Sequence, residues 1–192
     1  SALNGRIPNT IAPSKPVSVV SRNKVGLPLS VDYRRNFPPV LTAVKDQGMC
    51  GSCWAHAATE SIESHWALAT GELYVLSQQQ ITSCTPNPHS CGGTGGCFGA
   101  TAELAFDYIS TTGITEEWEY SYTSYQGDSG VCSFNATKTP VVVEISGYSS
   151  VPRNSDSEVA AALATHGPLA ISVDASEWSD YEAGVYSGCD YS

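Results

Sequence analysis

The stretch from Cys53 to Thr70 reads CWAHAATESIESHWALAT and contains neither proline nor glycine. Ala58, Ile62 and Trp66 fall four apart, and Ala55 and Ala69 stand three residues away at either end, so one apolar stripe of helical spacing runs along it. Gly51-Ser52 precedes the run and Gly71 follows it, as start and stop signals do. The pattern predicts a helix over 53–70 and sets Cys53 in its first turn. A second helix is expected from Ser77, which forms an S-x-x-Q capping box with Gln80, and a third from Thr101 to Thr111. Gly, Pro and Tyr dominate residues 113–139, which read as loop. Pro140 to Ile145 (PVVVEI) is β-branched and strand-like, Glu158 to Thr165 helical, and Leu169 to Val173, after the Gly167-Pro168 break, a buried strand.

Helices therefore gather early and strands late, an α+β pattern with two unlike lobes. Residues 1–25 show no periodicity of either kind. The expected organisation is a leader or propeptide remnant over 1–26, a mainly helical lobe over 27–139 and a β-rich lobe, incomplete in this sequence, over 140–192. No apolar run reaches the roughly 18 residues that cross a bilayer. The formal charge of −10 disfavours nucleic acid and anionic membranes as partners and suits an acidic compartment. Seven cysteines point to an oxidising secretory or vacuolar route, and an odd number leaves at least one outside any internal disulfide. Asn135-Ala136-Thr137 is an N-glycosylation sequon that fits such a route.

Chemistry concentrates in Gln47-Gly48-Met49-Cys50-Gly51-Ser52-Cys53, followed by Trp54-Ala55. A thiol in the first turn of a long helix sits where the macrodipole and free N–H groups favour an anion, and the thiolate is the nucleophile. Gly48 and Gly51 permit a tight loop that returns Gln47 towards Cys53, from where its amide can donate to the oxyanion formed at an attacked carbonyl. This segment resembles the active-site sequence Gln-Gly-x-Cys-Gly-Ser-Cys-Trp of papain and the cathepsins throughout. Further similarities run from residue 27 onward: Leu27-Pro28, Val31-Asp32 and Val44-Lys45-Asp46, with Tyr33 where the family usually has Trp; Leu76-Ser77-x-Gln79 with Cys84; Tyr120-x-Tyr122; Gly130-Val131-Cys132; Gly167-Pro168-Leu169 to Asp174-Ala175; and Gly184-Val185-Tyr186.

The resemblance implies a papain-like two-lobe fold, helical lobe against β-barrel-like lobe, and cysteine-type peptidase activity on peptides or proteins with no cofactor and no metal. It assigns Cys53 as nucleophile and Gln47 as oxyanion donor. It places backbone contacts to an extended substrate at Gly51 and at the pair Gly99-Ala100, where Ala100 replaces the family's second glycine. It implies disulfides Cys50–Cys97 and Cys84–Cys132, and a partner for Cys189 beyond Ser192. Cys91 is extra: it can compete for Cys50, stay free, or bond another segment. The family's catalytic histidine and its orienting asparagine would lie past Ser192, in a continuation or a second chain. His56, His65, His89 and His166 do not stand in that context; His166, before Gly167-Pro168, is expected to cap a helix or face solvent. A lysosomal, vacuolar or secreted location follows from the same resemblance. Three other readings compete. Cys50-x-x-Cys53 has the form of a redox pair but no strand before it. Cys84, His89, Cys91 and Cys97 resemble a zinc set without a common spacing. A papain-fold subunit with a binding or structural role would need no histidine.

Overall fold

The computed structural model describes residues 17–18, 26–175, 178, 181–184 and 186; Cys189 lies outside them. Its strands and α-helices in chain order are a two-residue strand β1 (Val17–Ser18), helices α1 (Cys53–Thr70), α2 (Gln78–Cys84) and α3 (Ala102–Thr112), strand β2 (Ser149–Ser150) and helix α4 (Asp156–Thr165), with single 3-10 turns at Tyr33–Arg35 and Ser124–Gln126. β1 pairs in parallel with β2. Among the described residues no helix is long and apolar enough to cross a membrane.

Helix α1 occupies the residues whose spacing predicts it. Gly71 closes it in the left-handed conformation (φ 80°), returning its N–H to the Ala67 carbonyl at 2.9 Å. The stripe Trp54, Ala55, Ala58, Ile62 and Trp66 is buried against Leu76, Ile81, Ala105, Ile109, Ile114 and Val143, so α1, α2 and α3 share one core. Ala55, Ala58 and Ala105 are fully buried, and their small side chains let α1 and α3 pack closely.

Helix α2 begins as expected, with the Gln80 N–H donating to Ser77 Oγ at 2.9 Å. The reciprocal half of the capping box is not made, because the Ser77 N–H is already taken by the Thr115 carbonyl (3.0 Å). The Gln80 side chain instead donates to the Gly113 carbonyl and accepts from the Thr115 N–H at 2.9 Å. Gln79 serves the next loop in the same way, accepting from the Thr123 and Ser124 N–H groups and donating to the Ser129 carbonyl. Buried side-chain amides thus satisfy backbone groups that a sheet would otherwise pair.

Two expected strands are absent among the described residues. Over Pro140–Ile145 the only pairing is a single antiparallel bridge between Val143 and Ile114, and Val143 joins the core of α1. Residues 167–175 form no ladder, and Ile171 and Val173 are 64% and 53% exposed rather than buried. β-branched residues favour an extended backbone, but a strand also needs a facing edge, and the described residues offer neither segment more than that one bridge. The second segment is fastened to α1 differently: His65 Nε2 lies 3.0 Å from the Pro168 carbonyl, and Ser61 Oγ donates to the same oxygen. Tyr33 adds a link to α4, its hydroxyl donating to the Leu163 carbonyl at 2.6 Å.

A buried ion pair ties the approach to the site onto the middle of α1. The Glu63 carboxylate, 1% exposed, accepts from Lys45 Nζ (2.9 Å), from the Thr42 hydroxyl and from the Leu76 N–H (2.8 Å). Removing one partner of such a pair leaves an uncompensated buried charge, so Lys45→Met is expected to cost about 3 kcal/mol of stability. Adding Glu63→Gln should recover part of it, since the amide keeps the bond from Leu76 without the charge. Denaturant titration of the intact protein reads both values, and equal stability of Lys45→Met and parent would remove this pair from the account.

Candidate active site

The loop leading into α1 is held on two sides. Cys50 is disulfide-bonded to Cys97, and the Gly51 N–H donates to the Cys97 carbonyl at 2.9 Å, with Gly51 bridged to Phe98 in parallel. From the other side the Met49 N–H donates to the Tyr125 carbonyl at 2.9 Å. Glycine is required at both contacts. A Cβ on Gly48 (φ 63°) would lie 2.5 Å from the Tyr125 carbonyl oxygen, and one on Gly51 would lie 2.6 Å from that of Cys97.

Gln47, the expected oxyanion donor, has its side-chain amide oriented by the loop itself: Nε2 donates to the Cys50 carbonyl at 2.8 Å. That bond uses one of two N–H groups and leaves the other to donate elsewhere. Ser52 is the N-cap of α1, yet its hydroxyl does not cap the helix. It bonds Tyr122 Oη at 2.7 Å and lies 3.3 Å from His56 Nδ1, while the Ser52 carbonyl takes the N–H groups of Ala55 and His56. The Cys53 N–H therefore has no hydrogen-bond partner among the described residues. Cys53 itself is exposed and its thiol is free. An exposed thiol, its own open N–H and an oriented amide converge on one turn, an arrangement that can attack a carbonyl and receive the resulting oxyanion.

The histidines lie elsewhere. His56 is buried one turn along α1, with Nδ1 3.0 Å from the Ser52 carbonyl, and burial pushes its pKa below the usual imidazole value. His65 faces Pro168. His166 is the exposed C-cap of α4, and His89 is exposed in the turn after α2. None of the four hydrogen-bonds the Cys53 thiol.

The remaining candidate residues fall around this turn or away from it. Gly99 and Ala100 are half-buried and follow directly on Cys97-Phe98, the strip paired with Gly51; the Gly99 carbonyl is occupied by the Gly95 N–H (2.8 Å). Trp54 Nε1 donates to the Gly96 carbonyl, joining that glycine-rich loop to α1. Cys84 is bonded to Cys132, and Cys91 is an exposed free thiol. With Cys84 and Cys97 consumed in disulfides the zinc set is dismantled, and because Cys50 is bonded to Cys97 it forms no redox pair with Cys53. Asn135 is exposed, its side-chain oxygen accepting from the Thr137 hydroxyl at 2.7 Å. In the sequence Tyr122 stands out only as a landmark in Tyr120-x-Tyr122. Its hydroxyl also donates to the Gln47 carbonyl at 3.0 Å, and only the fold reveals that it underlies the nucleophile's turn.

The sequence model of the papain family cysteine proteases matches residues 27–192. The chain belongs to the papain family. Its papain-like α+β fold is shared with procathepsin L 3 from the Tenebrio molitor larval midgut, at a TM-score of 0.66 and 35% identity over 80% of this chain and 46% of that one. The papain-family relatives include cysteine proteinase EP-B 1 of Hordeum vulgare, 38% identical over 92% of this chain and 47% of its own length. Cysteine endopeptidase Rep1 of Oryza sativa subsp. japonica is 40% identical over 84% of this chain and 42% of its own length. The chain thus spans a little under half the length of these papain-family relatives.

Proposed function

We propose that this chain is the nucleophile-bearing part of a cysteine-type peptidase acting on peptides or proteins. The observation that carries the reading is the turn itself, with an exposed thiol at the start of α1, an N–H on the same residue with no partner among the described residues, and the Gln47 amide held to the Cys50 carbonyl three residues before it. The Cys53 thiolate attacks the peptide carbonyl carbon and the displaced electron pair moves to the oxygen, which the Cys53 N–H and the Gln47 amide receive. Collapse breaks the C–N bond, the amine leaves with a proton from an imidazolium, and water then cleaves the thioester, returning the thiol.

The imidazole is not one of His56, His65, His89 or His166, all of which are engaged or placed elsewhere. It is supplied, with the asparagine that orients it, by a segment outside residues 1–192, whether a continuation of this chain or a second chain. Gly51 and the Gly99-Ala100 pair offer backbone to an extended substrate along the strip that borders Cys53. Residues 1–26 are a prosegment remnant, a reading supported by the pairing of β1 with β2 and by the likeness to a proenzyme structure. The disulfides and the exposed sequon support a lysosomal, vacuolar or secreted location, with Asn135 carrying a glycan. The alternative is a papain-fold subunit with a binding or structural role; among the described residues no histidine hydrogen-bonds the Cys53 thiol.

Two outcomes follow. In the complete protein, cleavage of a fluorogenic peptide should be abolished by Cys53→Ala and lowered roughly 10²–10³-fold by Gln47→Ala, the usual effect of losing one oxyanion donor. A complete protein that cleaves nothing, or one indifferent to Cys53→Ala, would favour the binding role. Separately, peptide mass mapping of protein purified from its natural source should find Asn135 converted to Asp by glycan-releasing amidase. An unmodified Asn135 in that material would remove the glycan from the proposal.

A further inference from the structure

Beneath the nucleophile's turn lies a chain of hydrogen bonds whose direction is fixed by its end. The Gln47 carbonyl can only accept, so the single proton of Tyr122 Oη goes to it, at 3.0 Å. The Ser52 hydroxyl, 2.7 Å from Tyr122 Oη, must then be the donor in that contact. That leaves Ser52 Oγ to accept, and His56 Nδ1 lies 3.3 Å from it and 3.0 Å from the Ser52 carbonyl, which assigns the proton to Nδ1. Its three side chains are buried: Ser52 is 0%, Tyr122 7% and His56 8% exposed, while Gln47 at the other end is half-buried. The Tyr122 ring is also fixed, edge-on to His56 at 5.1 Å and to Tyr125 at 4.9 Å, and its backbone N–H is held by Glu117 Oε1 at 2.6 Å.

Within this chain Tyr122 joins the two backbone segments that carry the oxyanion donors. Gln47 bears the side-chain amide, and Ser52 immediately precedes the Cys53 N–H. We infer that Tyr122, acting through the Gln47 carbonyl and the Ser52 hydroxyl, is a positioning residue that sets the separation of the two oxyanion donors. The inference rests on the peptidase reading, and it explains why Ser52 gives up the cap of α1. A serine hydroxyl turned to its own helix would satisfy an N–H at the helix start. Turned to Tyr122, it fixes the loop instead. Tyr122 touches no substrate in this role. A donor displaced by an ångström or less loses much of its hold on an oxyanion, so the effect should fall on the chemical step.

Tyr122→Phe in the complete protein keeps the ring contacts and deletes the hydroxyl. Peptide turnover should show kcat reduced on the order of tenfold, a fraction of the 10²–10³ lost with the donor itself, with KM little changed. Alkylation of Cys53 by iodoacetamide should proceed at the parental rate, because displacement of iodide develops no carbonyl oxyanion. Ser52→Ala breaks the same link from the other side and should show the same split between turnover and alkylation, which keeps the test decisive if one variant fails to fold. Unchanged kcat in a folded variant overturns the inference. So does a parallel loss of turnover and alkylation, which would mean that the hydroxyl only maintains the fold around the thiol. A complete parent protein without turnover removes the peptidase reading and this role with it, whereas an active parent with an indifferent Tyr122→Phe removes this role alone.

Discussion

The structure depends on how Cys97 is fastened to the start of α1. One residue supplies both a covalent bond, to Cys50, and a backbone acceptor, to the Gly51 N–H. Its neighbour Phe98 bridges Gly51, and the glycine-rich loop before it receives the Trp54 indole. A disulfide of this kind is worth roughly 2–4 kcal/mol, mostly through the unfolded chain. Its structural consequence here is larger than that figure suggests, because it aligns the strip 97–100 beside the first turn of the helix.

From that start α1 acts as the beam of the described structure. Its apolar stripe joins α2 and α3, and its polar residues reach in other directions. Glu63 receives the Lys45 ammonium and the Leu76 N–H, fixing the segment before the active-site loop and the segment before α2 on one carboxylate. His65 and Ser61 approach the Pro168 carbonyl, holding the chain after α4. A buried ion pair is weak evidence of net stabilisation, since the desolvation of both charges offsets much of their attraction. Its value lies in direction. Thr42 and Lys45 both bond Glu63 Oε2, which anchors residues 42–45 directly before Asp46 and Gln47. Glu117 works likewise at the far side, presenting one oxygen to the Tyr122 N–H while burial raises its pKa above the usual carboxylate range.

Features encoded by local pattern were legible in the sequence. The bounds of α1 followed from an unbroken stripe between Gly51-Ser52 and Gly71, and the start of α2 from Ser77. Cys53 and Gln47 stand out in the sequence as candidates because a Gly-flanked loop entering a helix has a chemistry of its own. The strands expected at 140–145 and 169–173 are absent among the described residues because β-branched composition reports only a backbone preference, whereas pairing depends on a partner elsewhere. Nothing local in Gln79 or Gln80 says that their amides will replace a sheet for the loops 113–129. Likewise Tyr122 lies 75 residues from Gln47, and no periodicity joins them. Polar networks of this length are specified by tertiary packing, not by the neighbours in the chain.

The central claim is that the turn 47–53 is built to receive an oxyanion on the Cys53 N–H and the Gln47 amide. A crystal structure of the complete protein with a peptide aldehyde tests this most directly, since the aldehyde carbon bonds a nucleophilic thiol and its oxygen reports where an oxyanion is held. The account predicts a hemithioacetal on Cys53, with its oxygen within hydrogen-bond distance, about 2.7–3.1 Å, of both the Cys53 nitrogen and Gln47 Nε2. An aldehyde bound at Cys91, or one on Cys53 whose oxygen turns away from both donors, would contradict it.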